Sequence, residues 1–166
     1  MDLTITVSAI VAILGFGLAL YNQWRALETS RQILSLAYAQ KKQDLLALII
    51  SGEAAHLTAK VQAQDLRDEA LDTEVPEAKL AIDQATVLME ECDKARELLQ
   101  TSRLALQSAS AMTKSHNDLV YLIEEHTDAV RGYTDKSKID AEAAALLQPA
   151  RRLLRLIHAA TKPREA

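Results

Sequence analysis

Glycine, proline, cysteine and aromatic residues are all scarce in this chain of 166 residues: Gly 4, Pro 3, Cys 1 and 4% aromatics. Each scarcity removes a class of structure. So few turn formers cannot punctuate the many short strands of a sandwich or barrel. One cysteine, Cys92, closes no disulfide and completes no CxxC redox or zinc pattern, so it reads as a small core residue of a reduced compartment. With two of the four glycines, Gly15 and Gly17, inside the apolar opening run, little is left for a glycine-rich phosphate cradle. GxSxG and HExxH are missing as well, and no base stands beside a constrained nucleophile. A net charge of −4 gives no global basic footprint for nucleic acid. The sequence therefore reads as a non-enzyme with no cofactor, no metal and no nucleic-acid partner.

What the chain does contain is helix-forming. Ala, Leu, Gln and Glu dominate, which favours an all-α fold. From Leu3 to Tyr21 there are 19 residues without a charge. As a helix this run would be roughly 29 Å long, close to the ~30 Å hydrocarbon thickness of a bilayer. Its apolar residues lie on every side, whereas a helix of a small water-surrounded domain keeps a polar face. The expectation is a single N-terminal transmembrane helix, residues 1–24, in contact with membrane lipid.

Tyr21, Trp24 and Arg25 follow as interface anchors, two amphipathic rings and a guanidinium that can reach water. Arg25, Arg31, Lys41 and Lys42 all lie after the run and only Asp2 before it, so the positive-inside rule puts the N-terminus outside and the C-terminal domain in the cytoplasm. The competing reading is export as an outward-facing envelope stalk. A secretory signal opens with Lys or Arg, which this sequence does not, although Gly17-Leu18-Ala19 would suit a signal peptidase. Within the run Ser8, Ala12, Gly15 and Ala19 share a narrow stripe, a helix-packing face through which the span would form a homo-oligomer.

Beyond the run, residues 25–51 read as a membrane-proximal helical stalk and 52–166 as a small amphipathic helical bundle. Leu27, Leu34 and Leu48 share one heptad position and Trp24, Tyr38 and Leu45 the neighbouring one, interrupted by Arg31 and Lys41. Gly52 reads as the residue closing this helix. A second helix is expected over about 53–71 with a thin apolar face of Leu57, Val61 and Leu71. Pro76 opens a third, carried by Leu80, Leu88, Cys92, Ala95, Leu99 and Leu106. Ser115 caps a fourth, ending at Gly132, and Pro149 kinks or restarts a last one over about 139–160. A coiled-coil hairpin is the alternative architecture.

Two features bear on function. Glu53-Ala54-Ala55-His56 supplies one Glu-x-x-His pair, but a binuclear helical metal enzyme needs two, so that reading stays a minor alternative. Charge is segregated: twelve acidic and five basic residues lie between Glu53 and Glu97, while Arg151, Arg152 and Arg155 flank Leu153, Leu154 and Ile157 near the end. Those arginines either meet an anionic surface or answer the acidic helices of the same bundle. Taken together, the sequence indicates a membrane-anchored helical protein acting by protein–protein contact, as scaffold, adaptor or regulatory subunit at the cytoplasmic face, with an unidentified protein partner.

Overall fold

In the computed structural model the described residues are 2–73, 75–112 and 116–161, with side chains described for 12–73, 75–109 and 117–160. Their regular structure is helical throughout: α1 (Asp2–Asp72), a 3-10 turn (Pro76–Ala78), α2 (Lys79–Met112), α3 (His116–Val130) and α4 (Lys136–Thr161). The all-α expectation holds. Two compact units divide the chain, Met1–Lys41 and Lys42–Ala166. Ser115, the expected cap of α3, lies outside the described residues.

The membrane span is not found. Among the described residues no helix is long and apolar enough to cross a membrane. That overturns the single-pass anchor over residues 1–24, and with it the placement of the N-terminus outside and the C-terminal domain in the cytoplasm. Composition is the physical reason. From Ala12 onward the apolar residues give way within ten positions to Asn22, Gln23, Arg25, Glu28 and Arg31, so no described stretch stays apolar over the ~30 Å of a bilayer's hydrocarbon. Ser8 and its neighbours lie outside the described side chains.

In the second unit, burial follows a regular spacing of three and four. On α2 and the turn before it, Ala78, Ala81, Ala85, Leu88, Cys92, Ala95, Leu99, Ser102, Leu106 and Ala109 are all buried. α1 contributes Leu45, Ile49, Ala55, Ala59, Ala63, Leu66 and Ala70, and α4 Ile139, Ala143, Leu147, Ala150 and Leu154. These are a/d-type seams built mainly of alanine and leucine. Small side chains give little apolar area each but let helix axes approach closely, since interaxial distance depends on the residues at the contact. The expected face of the second helix is displaced: Leu57, Val61 and Leu71 are 46%, 48% and 53% exposed, whereas Leu66 is 2% exposed. Leu80, assigned to the α2 seam, is exposed as well.

Side-chain pairs give the topology. Glu53 meets Arg103 at 2.7 Å and Lys60 meets Asp93 at 2.6 Å, so α1 and α2 run antiparallel. The hairpin between them is made locally. Thr73 Oγ1 donates to the Glu69 carbonyl at 2.8 Å, and its N–H to that of Ala70 at 3.3 Å, satisfying the end of α1. Val75 is extended (φ −102°, ψ 129°), as a residue before proline prefers, and Pro76 opens the 3-10 turn. α3 packs on the C-terminal half of α2, where His126 Nδ1 lies 3.2 Å from Ser102 Oγ. α4 packs on the N-terminal half and shares one core cluster with α1 and α2. His56 meets Tyr133 and Glu69 meets His158, so α4 runs parallel to α1. The result is a three-rod bundle whose third rod, α3 then α4, is broken at residues 131–135.

Two helix-breaking signals are overridden. Gly52 does not end a helix; α1 continues to Asp72. Pro149 stands inside an unbroken α4. It removes the N–H that would bond to the carbonyl of Ala145, and both residues are exposed, so water can take that bond.

Candidate contact surfaces

The break in the third rod is held against α1 by two residues one turn apart. A Cβ added at Gly52 would lie 2.8 Å from the Tyr133 carbonyl oxygen, 3.1 Å from Thr134 Cα and 3.3 Å from Leu99 Cδ1, so only glycine lets the 131–135 turn approach this closely. His56 Nε2–H then donates to that same Tyr133 oxygen at 3.2 Å. Burial is the main influence on the imidazole and lowers its pKa; the bond to Tyr133 and the charge of Glu142 oppose this, and Arg96 adds to it. The start of α4 is fixed by Asp135, whose Oδ1 accepts the Lys138 N–H at 3.2 Å as an N-cap.

Beside this junction lies an open groove of about 610 Å³ between α2 and α4, with His56, Cys92, Tyr133 and Glu142 among its lining. Its chemistry is that of a packed surface. Burial, with Asp93 and Glu91 nearby, pushes the Cys92 thiol up, away from the reactive thiolate. The Glu-x-x-His pair does not converge either, because Glu53 is turned to Arg103 and His56 to Tyr133. Among the described residues no group of three or more His, Cys, Asp or Glu could hold a metal ion. His126 bonds to the buried Ser102, a polar register pin between α2 and α3; the side chain of His116 is not among those described.

The remaining sequence-derived sites fall on two separate surfaces. Ala12, Gly15, Ala19, Tyr21, Trp24 and Arg25 are all exposed on the leading part of α1, and nothing lies within 4 Å of a Cβ built at Gly15. The same stretch exposes Ile13, Leu14, Phe16, Leu18, Leu20 and Leu27, with Phe16 at 68% and Trp24 at 62%. Arg151, Arg152 and Arg155 are exposed on α4, whose inward face carries the buried Leu147, Ala150 and Leu154. The first of these surfaces belongs to the unit Met1–Lys41 and the second to the unit Lys42–Ala166. Sequence reasoning missed the Gly52–His56–Tyr133 junction. A glycine and a histidine four apart on one helix was the only available signal.

By fold and surface the chain is an alanine-seamed helical bundle preceded by an apolar helical segment. No family model, curated protein or solved structure matches it.

Proposed function

We propose that this protein acts by protein–protein contact, as a scaffold, adaptor or regulatory subunit, with the leading part of α1 as a contact surface. The observation that carries this reading is the exposed apolar surface of residues 12–36, where Ile13, Phe16, Leu20, Trp24, Leu27 and Leu34 all face outward. Covering one such side chain is worth about 1.5–3 kcal/mol. Half a dozen together give on the order of 10 kcal/mol, comparable to the net stability of a whole domain. Contiguous apolar surface of that extent marks an interaction site. The bundle of the second unit is the folded body that such a contact would bring to its partner.

Photo-crosslinking residues placed singly at Leu20, Trp24 and Leu34 of the full chain in living cells test the reading. Discrete protein adducts at these positions, lost when Leu27→Asp and Leu34→Asp are introduced together, are expected. Absence of any protein adduct at all three positions would refute it.

A further inference from the structure

Opposite charges collect on two neighbouring helices at one end of the bundle without neutralising each other. On α4, Arg151, Arg152 and Arg155 are exposed, and no ion pair or hydrogen bond forms to them among the described residues. On α1, Asp65, Asp68 and Asp72 are exposed; among the described residues only Asp68 of the three is paired, with Arg67 at 3.5 Å. Both sets lie at the same level of the bundle, because His158 Nδ1 on α4 sits 3.7 Å from Glu69 Oε1 on α1. They also border the same groove. At about 100° per residue, Asp65 and Asp72 lie on the flank of α1 that carries Glu69, and Arg151 and Arg155 on the flank of α4 that carries His158. Further along, that groove is about 360 Å³ and is lined by Ala54, Thr58, Gln62, Lys136 and Asp140, none of them a bulky apolar group that would hold two faces apart.

We propose that this α1/α4 face docks a second copy of the same chain. α1 and α4 are parallel, so a two-fold axis running along their groove exchanges the two helices without changing level. The aspartates of each α1 then face the arginines of the other copy's α4, twice over, in a closed isologous contact. The choice of occupant follows from the order of charges. An anionic bilayer or a purely acidic partner attracted to the arginines would meet Asp65, Asp68 and Asp72 directly beside them, and like charge so close opposes binding. A surface bearing both signs in mirrored order is what fits, and this chain presents one. The inference does not depend on the apolar segment of the first unit.

Sedimentation equilibrium of the full chain tests it, in a non-ionic detergent that covers the apolar segment and leaves ionic contacts standing. At about 50 mM salt a dimer is expected, dissociating toward 0.5 M as the Debye length falls from about 14 Å to about 4 Å. R151E/R155E alone and D65R/D72R alone should each be monomeric, and an equimolar mixture of the two should restore the dimer. A wild-type chain that stays monomeric at low salt and about 100 μM would overturn the proposal. So would a charge-reversed chain that still dimerises with itself, or a mixture that does not. Should a reversed chain fail to fold, R151K/R155K provides amines for carbodiimide coupling in a mixture of isotopically light and heavy chains. Light–heavy crosslinks to Asp65 or Asp72 support the contact; crosslinks confined to one copy, or none, refute it.

Discussion

Replacing Gly52 with alanine sets two opposing effects against each other, and their magnitudes differ enough to decide the outcome. In an exposed helix interior, Gly→Ala stabilises by about 1 kcal/mol. Here the new methyl would meet the Tyr133 carbonyl oxygen at 2.8 Å and Thr134 Cα at 3.1 Å, both backbone atoms that cannot rotate away. Ordinary contact requires the 131–135 turn to retreat by about half an ångström, and overpacking of this kind costs about 1–3 kcal/mol. Retreat also lengthens the His56–Tyr133 hydrogen bond, already 3.2 Å, with a further loss of about 0.5–1.5 kcal/mol. The net expectation is destabilisation by about 0.5–3.5 kcal/mol. Urea denaturation followed by circular dichroism measures it, with Gly132→Ala as control because a Cβ there meets nothing within 4 Å. A double-mutant cycle with His56→Ala should show coupling between the two positions. If Gly52→Ala stabilises by the full propensity gain, the close approach of the turn to α1 is wrong.

Three further outcomes follow from the same packing. Burial holds the His56 pKa below its unfolded value, so the unfolded chain binds the proton more readily. Its contribution is present above about pH 6.5 and is lost as pH falls through the folded pKa; His56→Gln should flatten that part of the stability–pH curve measured by thermal melts. Leu66→Ala, at a 2% exposed seam position, should cost about 2–5 kcal/mol, and Leu57→Ala, 46% exposed, under about 1 kcal/mol; equal losses in chemical denaturation would contradict the seam assignment. Pro149→Ala restores the N–H facing the Ala145 carbonyl on an exposed helix surface and should raise the melting temperature, by up to about 3 kcal/mol of stability; a lower melting temperature would mean that the proline is itself a packing element.

Helix was legible from composition because it is a local property. Alanine, leucine and glutamate favour it residue by residue, and few glycines or prolines interrupt it. α3, and the α2 seam through Leu88, Cys92, Ala95, Leu99 and Leu106, could be read from spacing, and both are present. The apolar character of the opening run was equally plain, yet its translation into a membrane span is not supported among the described residues. Which face of α1 is buried was misjudged for an identifiable reason. Hydrophobicity points to Leu57, Val61 and Leu71, but alanine gains less from burial and more from letting helices close up, so the alanine stripe faces inward and the larger residues stay outside.

Gly52 and Pro149 show the same limit from the side of the backbone. Alone, each residue signals the end of a helix. In the folded chain a passing turn needs the first to have no side chain, and the second stands on an exposed side of its helix, where water can reach the carbonyl it leaves without an N–H. The sequence by itself determined that the chain is helical and that opposite charges lie in separate segments. Tertiary structure decided which residues are inside, how the third rod is broken and pinned, and that the acidic and basic sets border one groove. Those properties depend on contacts between residues tens of positions apart, whose energies no local pattern contains.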